Sequence, residues 1–168
     1  MGIFGRLSRK KGSFDTKIET TFQFEVIRDG KVIHRAKPVH NVTTEAGRNV
    51  ARQILHQAGH GAIAGFDYIT VGSTNYTPLA ADVALTGEVN AAGLERAAGT
   101  YSSEAGVGTW KLVKLFTYTG AGVTIYTGAV FNAATGVTMA YAALFGSSAV
   151  LATNDQLQVT VTGTISAA

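Results

Sequence analysis

Residues 156–166, QLQVTVTGTIS, alternate more cleanly than any other stretch of the chain. Leu157, Val159, Val161 and Ile165 fall on one side of an extended backbone, and Gln158, Thr160, Thr162 and Thr164 on the other. Successive side chains of a strand point to opposite faces, so the pattern predicts a terminal strand with its Leu157, Val159, Val161 and Ile165 face in a core. Its β-branched Val and Thr favour the same conformation.

The same alternation recurs in residues 17–38, KIETTFQFEVIRDGKVIHRAKP, where Phe22, Phe24 and Val26 alternate with Gln23 and Glu25. Asp29-Gly30 tolerates the positive φ of a tight hairpin turn, and Pro38 ends the returning strand by removing a donor. Further strands are expected at 66–72, 95–101, 110–118, 124–132 and 139–145, set off by the turn sequences GAG, NAATG and ATND. Between the first two lies a long connection, STNYTPLAADVALTGEVNAAG, with room for a helical turn near 82–85. One helix interrupts this pattern, near residues 43–58. Ala46, Val50, Ile54 and Ala58 form its apolar stripe, Thr43 or Thr44 its cap and Gly59 its stop, while Gly47 lowers the local helix propensity. The fold class is therefore mainly β: a β-sandwich or jelly-roll-like body with one helix and an extended N-terminal arm.

Composition agrees. The 168 residues include 20 Gly and no Cys, and the 15% of charged residues falls well below the usual quarter. Disulfide and thiolate chemistry are thereby excluded. No apolar run approaches membrane-spanning length. The start, MGIFGRLSRKKG, lacks the apolar segment of a secretory signal, and Arg6 stands where a myristoylation motif needs Ser or Thr. Nine of the 14 basic residues lie in residues 1–40, whereas only Glu104, Lys111, Lys114 and Asp155 are charged from residue 101 onward. The division is a basic arm, 1–16, and a single β-rich domain, 17–168. Within the arm, Arg6, Arg9, Lys10 and Lys11 are the candidate partner-binding residues. A partner-docked or solvated tail is the first reading of that arm, and nucleic-acid contact the second.

The stretch 128–145, GAVFNAATGVTMAYAALF, carries no charge at all. It reads as two strands around a turn in which Asn132 bonds the backbone and Gly136 takes positive φ. One of its faces packs on the core; the other is Thr/Ala-rich toward solvent or is covered by a neighbouring subunit.

A reactive constellation is not legible. His56 and His60 are four apart, but HQAGH lacks the Glu of HExxH and has no evident third ligand. No Ser or Cys stands in a triad setting. Glu88, Glu95 and Glu104 read as solubilising acids, and GAGV lacks the phosphate-loop pattern. In WKLVKLFTY, residues 110–118, Trp110, Phe116 and Tyr118 share a face with Lys114 while Lys111 points oppositely. That face is either core packing or a stacking platform for sugars or single strands. The expectation is a protein without enzymatic activity, metal or cofactor.

The ordered segments HNVTTEAGRNVARQIL, FDYITVGSTNYTPLAADVALTGEV, GAVFNAATGVTMAYA and NDQLQVTVTGTIS together resemble a pattern in small structural proteins of tailed bacteriophages. The pattern comprises a Thr-capped helix start, a strand ending in Gly and a Thr-Pro…Glu-Val linker. A Phe-Asn-Ala-Ala-x-Gly turn and an Asp-introduced terminal strand complete it. An Arg commonly follows the Glu-Val; in this chain it is delayed to Arg96. The resemblance implies a virion component assembled in the host cytoplasm. The favoured form is a capsid decoration (cement) protein contacting the major capsid protein or other virion proteins, as a homo-oligomer and by analogy a trimer. A tail or baseplate protein is the alternative, and a receptor- or carbohydrate-binding module another, to be distinguished by a solvent-open aromatic cluster around Trp110. Membrane and nucleic-acid partners are not expected.

Overall fold

The computed structural model describes residues 16–49, 65–104, 108–136 and 138–167. Among the described residues eleven strands form two antiparallel sheets. They are β1 (Thr16–Arg28), β2 (Lys31–Arg35), β3 (Val39–His40), β4 (Val42–Thr43), β5 (Tyr68–Gly72), β6 (Ala97–Ala98), β7 (Thr100–Ser103), β8 (Thr109–Thr117), β9 (Val123–Phe131), β10 (Met139–Leu151) and β11 (Gln156–Ala167). The first sheet has the order β2-β1-β11-β8-β7, with β3 also on β1, and the second β4-β10-β9-β5-β6. The body is a β-sandwich.

Local chemistry sets the first hairpin. Asp29 and Gly30 both have positive φ, 51° and 72°, the geometry that matches the twist of the flanking strands. β1 then pairs along its whole length with β11, from Thr16 with Ala167 to Ile27 with Gln156. Strand pairing thus begins one residue inside the expected arm.

The core between the sheets is built from Phe22, Phe24 and Val26 of β1, Leu157, Val159 and Val161 of β11, and Leu112 and Phe116 of β8. They meet Ile69, Val71, Ile125, Phe145 and Leu151 of the second sheet. Phe24 and Phe145 cross the gap edge to face, with centroids 4.9 Å apart. Burying each such side chain contributes about 1.5–3 kcal/mol.

Part of the outer face of the second sheet is buried as well. Ala129, Phe131, Met139 and Ala142 point away from the first sheet and pack with Leu85 and Tyr76 of the long connection. That connection is pinned by Val89 N–H donating to Val71 O at 2.9 Å and Ser73 N–H to Gly87 O at 2.9 Å. A strand pair covered on both faces has little place for charge, which accounts for the composition of 128–145. The sequence alone allows solvent or a neighbouring subunit over that face; the chain itself supplies the cover.

Four expectations need correction. Ile165 is not in the core: it is 46% exposed, beside its cross-strand partner Ile18 at 43%. Periodicity identifies the inward face but not where the opposing layer stops. The expected strand 95–101 is two strands in different sheets, since β6 pairs with β5 and β7 with β8. Gly99 makes the crossing, where a Cβ would press on Leu112 and Val113. Residues 82–85 form a bend without a helix, and the strand expected over 139–145 continues to Leu151 through a register shift. A second crossing, with no sequence signal, lies at Asn41, between β3 on β1 and β4 on β10.

The helix starts at residue 45 and is described to 49. Thr44 caps it, accepting from Gly47 N–H at 3.0 Å. Thr44 also donates its hydroxyl to Met139 O, which ties the helix start to β10. Gly47 lies against the backbone of Ala140, leaving no space for a Cβ. Val50, Ile54, Ala58, Gly59, His56 and His60 lie outside the described residues, as do Arg6, Arg9, Lys10 and Lys11.

Candidate functional site

Three far-separated pieces of the sequence meet on the outer side of the second sheet. Glu88 of the connection receives Arg96 through two parallel hydrogen bonds, Nε to Oε1 at 2.9 Å and Nη2 to Oε2 at 2.8 Å. The two side chains are only 13% and 8% exposed. Thr70 Oγ1 on β5 donates to the same carboxylate at 2.9 Å. The remaining guanidinium edge donates to Gly136 O at 3.0 Å and Ala133 O at 3.3 Å, both in the NAATG turn. A buried ion pair stabilises only when its remaining polar atoms are satisfied, and these are. Arg96, though displaced in sequence, therefore joins the Glu-Val linker to the Phe-Asn-Ala-Ala-Thr-Gly turn. Gly136 has φ 134°, so the turn uses its glycine as expected.

A second ion pair closes the edge where β11 begins. Asp155 is 1% exposed and takes both Arg28 Nε at 2.8 Å and Nη2 at 2.7 Å. It also accepts Ala152 N–H at 2.7 Å across a turn in which Asn154 has φ 69°. The Arg28 hydrogen bonds hold the Asp155 carboxyl below the usual range against the opposing effect of burial, with Ala152 N–H helping. The same bonds raise Arg28. Both ion pairs are structural elements, and none of their residues lines the clefts formed by the described residues.

A cleft does open at the end of the sandwich, with a volume of about 450 Å³. It is lined by Gly65, Phe66 and Asp67 ahead of β5, Tyr101 of β7, Trp110 and Leu112 of β8, and Tyr141 of β10. The strand period places Tyr101, Trp110 and Leu112 on the inward face of the first sheet, where Tyr101 pairs with Leu112. Trp110 pairs with Gly163, and a Cβ there would run into its indole. The ring thus rests on the strand backbone in a seat that only glycine provides. Phe66 and Tyr141 meet edge to face at 6.4 Å. Tyr141 is half-buried, and burial pushes its phenol further up, so it is a donor. Tyr101 stands 64% exposed at the mouth.

The structure separates the other sequence candidates. Glu88 is held by Arg96, Glu104 by Lys111 at 2.9 Å, and Glu95 accepts from Gly93 N–H at 3.3 Å. The Lys111 hydrogen bond lowers Glu104. No two of these acids share a site. Lys114 shares the inward face with Trp110 and Phe116, as the period requires, and its Nζ lies 5.8 Å from the Phe116 centroid. His34 meets Ser147 Oγ at 3.0 Å and its ring lies 5.4 Å from Phe24, a packing role. Among the described residues no three His, Asp or Glu side chains gather as metal ligands. Sequence reasoning found Trp110 but not Phe66, Tyr101 or Tyr141 as its neighbours, because four separate segments bring them together. No protein-family model and no curated protein matches the chain.

Proposed function

We propose that the chain is a non-enzymatic structural protein of a tailed-bacteriophage virion, bound to the assembled head as a decoration protein. The observation that carries this reading is the convergence of Glu88, Arg96, Phe131 and the Ala133–Gly136 turn carbonyls. Three pieces of the phage resemblance, the strand ending in Gly, the Glu-Val linker and the Phe-Asn-Ala-Ala-Thr-Gly turn, are parts of one buried cluster. Their order in the chain thereby acquires a physical reason.

The surface suits a lattice of copies. Register places Gln23, Thr160 and Val113 side by side on the outer face of the first sheet, with Gln158 beside Leu115. Leu115 is 44% exposed and Val32 46%. The same face carries Glu25 paired with Arg35 and Lys111 paired with Glu104, so its charges are compensated within the chain where it would meet a neighbour. The basic arm, with Arg6, Arg9, Lys10 and Lys11, supplies a charged tether to an acidic virion neighbour. A trimer on the particle fits this arrangement, and repetition on the lattice raises the effective concentration at every contact. Location in the tail or baseplate is the second reading, favoured by the same motif order.

Copy number per virion, measured by quantitative mass spectrometry of purified particles, tests the proposal. Hundreds of copies support head decoration, and a few dozen or fewer support the tail. Absence from virions overturns both.

A further inference from the structure

We infer that the cleft between Trp110, Tyr101 and Phe66 is a binding site for a neutral sugar, a pyranose unit of an uncharged glycan. A cleft of about 450 Å³ falls within the range of small-molecule sites, roughly 300–1,000 Å³. Its chemistry is selective. Pyranose rings present a flat C–H face, which packs on an aromatic face, and a rim of hydroxyls, which need convergent donors and acceptors. The cleft offers both.

Trp110 supplies the fixed platform. Because its indole is seated on Gly163, it loses little freedom when a ligand arrives, and the ring system lines the cleft. Tyr101, 64% exposed on the adjacent strand, supplies a second ring at the mouth. A large aromatic left this open on an otherwise Thr- and Ser-rich edge is available to a ligand. Asp67 and the protonated Tyr141 phenol add one acceptor and one donor to the lining.

Charge decides between sugar classes and against nucleic acid. Asp67 is the sole charged side chain among the described lining residues. Lys111 projects from the opposite face of β8 and is tied to Glu104 at 2.9 Å. The charge among the described lining residues is thus acidic, which disfavours phosphate, sulfate and carboxylate groups and matches a neutral glycan. The inference stands on the cleft alone and holds for either location on a virion.

Trp110 is the only tryptophan, so its emission reports the cleft directly. The full-length protein is titrated with tetrasaccharides of glucose, of galactose and of N-acetylglucosamine, and with a heparin-derived tetrasaccharide. At least one neutral sugar is expected to change the emission saturably, and the heparin fragment not at all. Tyr101→Ala, at an exposed position, is expected to leave the melting temperature unchanged. It should lower the association constant about tenfold, the loss of one stacking surface. Trp110→Ala, followed by calorimetry, should abolish binding. No saturable change with any neutral sugar up to about 10 mM, a millimolar limit for a specific site, overturns the inference. So does binding of the heparin fragment alone. Sedimentation in which Tyr101→Ala dissociates an oligomer, while no sugar binds, assigns the cleft to a second copy and overturns it equally.

Discussion

The guanidinium carbon of Arg96 lies 3.5 Å from the centroid of the Phe131 ring, so the cation that pairs with Glu88 also covers an aromatic of the second apolar cluster. One side chain thus closes a charge pair, caps two turn carbonyls and shields a ring. Arg96→Met keeps the apolar stem but leaves the Glu88 carboxylate buried without a counter-charge. The loss is expected to be about 3–5 kcal/mol in chemical denaturation. Adding Glu88→Gln should return part of it, because the uncompensated charge is then gone. A loss under 1 kcal/mol for the single variant would mean that the cluster is not held as described.

β11 separates its two faces energetically. Val161 is fully buried, and Val161→Ala is expected to cost about 1–3 kcal/mol through lost burial and an unfilled space. Thr160 faces outward and Thr160→Ala should cost far less. Ile165→Ala, half exposed, should resemble Thr160 rather than Val161. Equal losses at 160 and 161, measured by thermal melting, would contradict the register.

Asp155 gives the acid limb of the stability curve. Its carboxyl titrates below the ordinary aspartate value because of Arg28, and Ala152 N–H adds to the effect. The stabilisation is therefore complete above the unfolded-state value near about 4 and is lost as pH falls through the lowered native value. Melting temperature followed from pH 7 to pH 2 should drop in that acid window. Asp155→Asn should be less stable at pH 7 and show a shallower drop. Glu104 shifts in the same direction but is solvent-screened, and Glu104→Gln should change the profile little.

Gly47 reverses a propensity rule. In an isolated helix Gly→Ala gains about 1 kcal/mol. At this position the new Cβ would overlap Ala140 O and Cα. Gly47→Ala is therefore expected to lower the melting temperature, and a rise would show that helix start and β10 are not in contact.

Much of the first sheet is legible from sequence because its determinants are local. Phe22, Phe24 and Val26 alternate, and Asp29-Gly30 carries its own turn chemistry. Ile165 fails for the complementary reason: its face is encoded by period, while its burial depends on how far another layer extends. The Glu88–Arg96–Phe131 cluster joins residues that no local pattern couples. Gly47 looks like a defect until Ala140 is placed beside it. Of the candidate site, Trp110 stands out as the single tryptophan, but its seat on Gly163 and its companions Tyr101 and Tyr141 come from pairing across strands.

The pairing of β11 between β1 and β8 has a consequence for biosynthesis. The middle strand of the first sheet is the last described element to leave the ribosome. Until residues 156–167 emerge, β1 with β2 and β8 with β7 are separate hairpin-like pairs, each with an open edge. Closing the sheet then requires contacts across nearly the whole chain, which places folding after synthesis and on the slow side of the range for domains of this size. A chain released at Asn154 should not be a shortened version of the domain. It should bind a dye for exposed apolar surface and sediment as aggregate, whereas the full chain does neither.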